Sequence, residues 1–502
     1  MIFDLLIKNA IIFPESELKD IYIKSGKFDQ IEPSGKKTSY PALSILNLRE
    51  KTLIPAFTDA HTHFFQWSLG RIQVSLEQVE SYDDALNKIS AYLSLNPDTP
   101  AVIATDFDQY RWIKPILPSK KDLDKISTSC PIVMRRICGH LAVFNSPALK
   151  KIENLVDKRF IDFKEGIVVE DPVLKIYNYF PPSPEMINQA LQSAQQECFR
   201  QGISAVGEIT SSLGRKIIAR ASHQHQLKVK FRLSVNQQDF KNLQQGGFYP
   251  SLGDDPVSLR ALKIFLDGSI GGKTAAVSFV YKDAPASARR GILLMEQNEL
   301  GELLKSALND HWKIWIHAIG DRAIDLILSS AKKLHLKNTE NIRIEHFELP
   351  SPEAIDQVAD MGIQLCVQPN FINNWSFPGQ LYQQVLPDEI YRFNNPLKEI
   401  LNRKCNFCFG SDNMPVNPFY GIQGTVNSPL PVQRLSLTEA IKRYTFHSAR
   451  CLGDTNRGKI IPGFQADIAV LNQFPDENNL LQIEVEQMYI DGEKVYDPYG
   501  ES

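Results

Sequence analysis

The 502-residue chain sets 55 Lys and Arg against 58 Asp and Glu, a formal net charge of −3, and 43% of its residues are hydrophobic. That balance offers no basic surplus for nucleic acid and no acidic tail, and no apolar run approaches the roughly 20 residues that a membrane-spanning helix needs. The seven cysteines are odd in number and lack framework spacing, so a reducing, cytoplasmic setting is expected, with Cys405 and Cys408 as two buried thiols.

The opening stretch, MIFDLLIKNAIIF, is interrupted by Asp4 and Lys8 and precedes no small-residue cleavage site. It reads as a strand, not as a signal peptide. Short strands and turns continue to residue 55 (DIYIKSGKFDQIEP, LSILNL) and return over 457–502 (GKIIPGFQADIAVLN, EQMYIDGEKVYD). Two β-rich ends around a long middle predict one composite β-sandwich domain, 1–55 plus 457–502.

In between, over 56–456, apolar runs alternate with helical patterns. The runs are LIPAFTDAH (53–61), SAVGEI (204–209), KFRLSV (230–235), ALKIFLDG (261–268), KIWIHAIG (313–320), IRIEHFE (342–348), IQLCVQP (363–369) and NFCFGSD (406–412). Runs apolar on both faces fit buried parallel strands. Helical stretches intervene at 184–202, 298–311 and 321–335. The expected fold is therefore α/β, a TIM-like (β/α)₈ barrel. Residues 66–183 are too many for one βα unit and predict a subdomain inserted after the first barrel strand, over the active site, with AVIATDF and PIVMRRI as its strands.

His61-Thr62-His63 ends the first run. Residues i and i+2 of a strand point to one side, so both imidazoles reach one cation. HxH alone is a weak signal. However, His317 ends the fifth run, His346 the sixth and Asp412 the eighth, where barrel enzymes carry their catalytic groups. Neutral imidazoles suit a borderline-soft divalent cation, zinc first, and a carboxylate adds neutralising charge. Such a cation makes a water nucleophilic near neutral pH, and Asp412 is the candidate base for its proton. Lys263 lies inside the apolar fourth run, where an amine is costly unless paired or neutralised. A partner carboxylate (Asp267 or Glu208) would answer that, and so would a carbamate formed with carbon dioxide; strand logic does not choose between them.

Taken together, LIPAFTDAHTH, ALKIFLDGSIGGKTAA, IHAIGDRAID, RIEHFELP and GSDNMPV resemble the metal-dependent amidohydrolase superfamily, and within it the N-substituted formamide deformylase-like branch (amidohydrolase family 3). CGHLAVFNSPAL, GISAVGE and GKIIPGFQADIAVL are similar to further marks of that branch, so the resemblance spans essentially the whole chain. It implies His61, His63, His317 and His346 as metal ligands, Lys263 as a carboxylated bridging lysine, and Asp412 as ligand and general base. One or two divalent ions per chain are implied, with hydrolysis of a non-peptide C–N bond in a small amide, formamide or cyclic amide. The chain departs from the pattern at Ala56 (usually Gly), at Gly207 (often His) and at Asn413 (usually Trp). These positions touch the pocket, so they bear on the substrate more than on the reaction.

Further candidates surround that set. His140, in the insertion, is expected to orient a substrate carbonyl. Glu170 matches a glutamate of the family's insertion. Arg136 is a candidate for an anionic group. Asp321 begins a helix, where capping is the ordinary role, and stays a candidate substrate contact. Trp375, with Phe371 and Phe377, lies beyond strand seven and is expected to give an apolar wall. The alternatives are an esterase or ring deaminase on the same site, or a non-catalytic metal-binding regulatory protein. The expected partner is a small molecule, with neither nucleic acid nor membrane, and a homodimer is the default for a barrel enzyme.

Overall fold

The structure is a computed structural model that describes residues 2–35, 40–109, 112–136, 141–169, 171–174, 176–248, 250, 255–282 and 290–500. Its described residues fall into two compact units, Phe65–Ala194 and the remainder.

The larger unit is built on eight parallel strands in one sheet, in the chain order the apolar runs predict. They are Phe57–Thr62, Ile203–Glu208, Lys230–Val235, Val257–Phe265, Lys313–Ala318, Ile342–His346, Gln364–Val367 and Phe407–Phe409, called barrel strands 1 to 8 below. Strands 1, 2, 3 and 8 are buried at every position, as both-face coverage by crossover helices requires.

Helix Asp321–Lys333 shows how the outer layer forms. Ala323, Ile324, Ile327, Leu328 and Ala331 make its buried stripe, recurring at helical spacing. Helix Pro352–Met361 is bounded by local signals. Ser351 caps it by accepting from the Ala354 amide, Pro352 occupies its first turn, and Gly362 ends it at φ 66°.

Strands 8 and 1 meet at a seam made by small residues and one carboxylate. The Asp412 amide donates to the His61 carbonyl at 2.9 Å. Asp59 Oδ1 accepts from the Ser411 amide at 2.8 Å and from the His61 amide at 3.3 Å. A Cβ on Gly410 would lie 2.5 Å from His61 Cβ, and one on Gly207 would lie 2.3 Å from the Ala60 carbonyl oxygen. Strand 1 is thus pressed from both sides, which is why Gly207 carries no larger side chain. Ala56 keeps negative φ, so it needs no glycine.

Strands from both termini share one sheet. It has eight strands in a single hydrogen-bonded network. The ten-residue strand Phe3–Ile12 is long enough to serve two partners on one edge, Ala42–Asn47 along its first part and Thr52–Pro55 at its end. Thr52–Pro55 then pairs antiparallel with Ile468–Leu471, joining the two ends of the chain over a core of Ile7, Ile21, Phe28, Leu53, Ile468 and Val470.

The second unit, Phe65–Ala194, carries a six-stranded sheet that includes the predicted strands as Val102–Phe107 and Ile132–Arg136. Its core gathers Ile89, Val102, Trp112, Ile132 and Met134. No described helix is long and apolar enough to cross a membrane.

Candidate metal centre and active site

The barrel brings His61, His63, Lys263, His317, His346 and Asp412 to one end of its interior. The ligating atoms of His61, His346 and Asp412 lie within 4.8 Å of one another. Ring centroids are 5.0 Å apart for His61 and His346, 4.4 Å for His317 and His346, and 5.7 Å for His61 and His63. Strands 6 and 8 each end in two consecutive left-handed residues, His346 (φ 73°) with Phe347 (φ 52°), and Asp412 (φ 52°) with Asn413 (φ 59°). Such backbone costs about 1 kcal/mol or more per residue and persists where the surroundings over-determine it, typically at functional sites.

The hydrogen bonds define which ring atoms remain for a ligand. His61 Nδ1 lies 2.6 Å from Glu345 Oε2, and His63 Nδ1 lies 3.0 Å from the Ile209 carbonyl. Both partners are acceptors, so each Nδ1 carries the proton and each Nε2 offers a lone pair. These two Nε2 atoms converge on Asp412 Oδ1, at 3.5 and 3.2 Å. Three acceptors therefore meet at one point, the arrangement that a cation resolves. Asp412 raises the His63 imidazole against the effect of burial, so a proton and a metal ion compete for the same place. His346 Nδ1 and Lys263 Nζ are buried without a hydrogen-bond partner among the described residues, and these orphaned atoms also fit a ligand set.

Burial and neighbouring charge keep His317, His346 and Asp412 in their metal-binding forms. Burial, reinforced by Lys263, drops the His317 imidazole to about 4. Burial likewise takes His346 well below its ordinary range, with His317 and His61 adding to it. For Asp412 burial opposes ionisation, but His61 and His63 outweigh it and hold the carboxyl low. Burial brings the Lys263 amine down to about 8 against the attraction of Glu345. Neither carboxylate anticipated as its partner bonds it. Asp267 instead accepts from the Ala276, Ile319 and Gly320 amides, at 3.0, 3.1 and 2.8 Å, and Glu208 accepts from the Thr62 hydroxyl and the Phe64 amide.

Residue type and spacing alone did not single out Glu345. Burial would push its carboxyl up, but Arg343, His61 and Lys263 hold it at about 2. Arg343 Nε donates to Glu345 Oε1 at 2.6 Å, its Nη2 donates to the Ala60 carbonyl at 3.1 Å, and its guanidinium stacks 4.0 Å from the Trp315 ring centroid. The visible signal was the alternation in IRIEHFE: two charges, two residues apart, in an otherwise apolar strand. A carboxylate that orients a ligating imidazole sets both its tautomer and its basicity. Glu345→Gln is expected to weaken zinc binding by about 10- to 100-fold, read by competition against a chromophoric chelator. An unchanged affinity would mean that other contacts orient His61.

Two cavities flank the centre. One of about 590 Å³ is lined by Thr210, Ser234, Asn236, Gln237, Gln238 and Lys263. The other, about 290 Å³, is shared by His317, His346 and Asp412 with Ile270, Phe371, Trp375, Tyr382 and Glu348. Burial raises the Glu348 carboxyl to about 7, against hydrogen bonds from Tyr382 and Asn395. Trp375 and Phe371 thus stand where an apolar wall was expected, on a single π-helical turn (Ile372–Ser376) and just before it. Phe377 does not line this cavity.

Two other candidates bond protein partners. The Asp321 carboxylate accepts from the Ser278 amide at 2.8 Å and from its hydroxyl, tying the loop after strand 4 to the helix after strand 5. It lines neither cavity. Arg136 donates to Gln109 at 3.0 Å and to Asp108 at 3.2 Å within the second unit, and its charge is engaged there. His140 and Glu170 lie outside the described residues. Asn413 has a backbone task, accepting from the His63 amide through Oδ1. Cys405 and Cys408 are buried free thiols, as expected.

A nearly closed parallel barrel with imidazoles and carboxylates at its strand ends is the arrangement that a divalent cation and hydrolytic chemistry use. The chain belongs to the amidohydrolase family, which its residues 44–496 match. It is 26% identical to the YtcJ protein of Bacillus subtilis over 94% of each chain. It is 20% identical to the N-substituted formamide deformylase of Arthrobacter pascens, over 92% of this chain and 91% of that one. In fold it is similar to a metal-dependent hydrolase of Pyrococcus furiosus, with a TM-score of 0.80 at 23% identity, covering 94% of this chain and 99% of that one.

Proposed function

We propose that the chain hydrolyses a non-peptide C–N bond of a small molecule, an amide, formamide or cyclic amide. The convergence of His61 Nε2 and His63 Nε2 on Asp412 Oδ1 carries this reading. Those three residues, with His317, His346 and Lys263, would hold one or two divalent ions, zinc being the expected one. When bound, such an ion acidifies a water and polarises a carbonyl. Asp412 takes the proton from the attacking water and returns it to the leaving nitrogen. Glu345 keeps the His61 ring turned, and Phe371 and Trp375 shield the reacting bond from bulk water. The Lys263 amine, buried and without a hydrogen-bond partner among the described residues, adds to carbon dioxide with loss of a proton, and the resulting carbamate supplies a further anionic ligand. Similarity to the formamide deformylase favours C–N cleavage over an ester or a ring amine.

The test is a panel of formamides, amides, cyclic amides, aryl esters and amino-heterocycles, run on zinc-loaded and chelator-treated protein. Turnover of C–N substrates that chelation removes and zinc restores is the expected outcome. Turnover confined to esters or ring amines would redirect the reading to those reactions. Inertness across the panel with zinc fully bound would leave a metal-binding regulatory protein.

A further inference from the structure

The smaller cavity contains a carboxylate that neither the metal set nor the hydrolytic chemistry requires. Glu348 lies two residues past His346, is 1% exposed, and faces the cavity shared by His317, His346 and Asp412. Its two oxygens differ. Oε2 accepts from the Tyr382 phenol at 2.5 Å and from Asn395 Nδ2 at 3.4 Å. Oε1 accepts from no described residue, and the side chain lines the cavity. Among the described residues no Lys, Arg or His forms an ion pair with this carboxyl, and the largest charge effects on it come from Asp267 and Asp412, both acidic.

The walls beside it are aromatic. Phe371 and Trp375 have ring centroids 4.6 Å apart, and Trp375 and Tyr382 6.0 Å apart. A carboxylate buried without a countercharge is costly. Aromatic faces around an unneutralised carboxylate are the chemistry that recognises an organic cation, through the ring quadrupoles and a charge-assisted hydrogen bond. Anchoring Tyr382 does not explain the arrangement, since that phenol uses one oxygen only and an amide acceptor would serve it.

We propose that Glu348 is a specificity-determining residue, and that the substrate carries a protonated amine held by Glu348 Oε1 in the cavity lined by Phe371, Trp375 and Tyr382. This rests on the hydrolase reading for the place of the scissile bond, which lies at the metal set, with the cation at Glu348 in the same 290 Å³ cavity. The substrate class is then an amide or formamide with an aromatic or short alkyl body ending in a basic nitrogen.

The test separates this inference from the hydrolase reading. The binding of 3-phenylpropylamine, a cation at neutral pH, is compared with that of 3-phenylpropan-1-ol, its neutral counterpart. Both are titrated calorimetrically into zinc-loaded protein and into chelator-treated protein, where no metal can bind the amine. The cation is expected to bind about tenfold tighter or more. Glu348→Gln should abolish that preference with zinc content and melting temperature unchanged. Equal binding of the two probes to the parent protein would overturn the proposal without recourse to any variant, as would a preference that survives Glu348→Gln. A kinetic arm compares N-[4-(aminomethyl)benzyl]formamide with N-(4-ethylbenzyl)formamide. Equal kcat/KM would sink the cation site and leave the hydrolase standing. A cation preference in binding, with neither compound turned over, would locate the failure in the proposed reaction.

Discussion

Asp412→Asn is expected to lower kcat by about a thousandfold, measured on whichever C–N substrate the panel identifies, with KM little changed. The substitution keeps the volume of the side chain, and the Asp412 amide still donates to the His61 carbonyl, so the barrel seam survives. What disappears is the carboxylate oxygen on which His61 and His63 converge at 3.5 and 3.2 Å. An amide oxygen there accepts a hydrogen bond but takes up no proton at working pH. A loss in kcat and in kcat/KM together is the signature of a group acting in the transition state. Zinc content measured on the same sample separates this from lost metal: a variant inactive yet still metallated lacks its base. Full activity in Asp412→Asn would remove Asp412 from that role.

Lys263→Ala is expected to lower the zinc bound per chain, in protein purified with bicarbonate, and turnover should fall with it. Lys263 is 4% exposed, and its Nζ lacks a hydrogen-bond partner among the described residues. A lone ammonium there would be a costly occupant. A carbamate reverses the sign of the charge and satisfies the acidic requirement of a cation site. Labelling with ¹³C-bicarbonate gives a readout independent of activity, a carbamate resonance present in the parent and absent from the variant. One equivalent of zinc in both proteins, with no carbamate signal, would make the centre mononuclear and Lys263 a structural or substrate-binding residue.

The local physics of the chain was enough to place the barrel. Strand Phe407–Phe409 is buried along its whole length and its sequence is an unbroken apolar run, whereas Lys230–Val235, equally buried, alternates Lys230, Arg232 and Ser234 with apolar residues. Both patterns are short enough and rich enough in β-formers to read as strands. Helices such as Asp321–Lys333 bury one stripe and show it as a period. Chain order then puts His61, His63, His317, His346 and Asp412 at strand ends, and the fold's rule of placing chemistry at those ends makes them a set.

The rest depended on partners distant in sequence. Glu345 reaches His61 from 284 positions away, and nothing local to RIEHF says which strand that carboxylate crosses the barrel to meet. Asp321 and Arg136 read as candidate substrate contacts in the sequence, and the fold adds their bonds to Ser278, Asp108 and Gln109. The β-domain is one sheet because the strand Phe3–Ile12 finds two partners along a single edge, a matter of register that period-two alternation leaves open. Glu348 looks like any acidic residue after a strand; its meaning lies in Tyr382 and Asn395 occupying one oxygen and in the aromatic cavity that the side chain lines. Periodicity records whether a residue is buried. Only the folded barrel determines which groups it is buried with, and charge, tautomer and specificity follow from those neighbours.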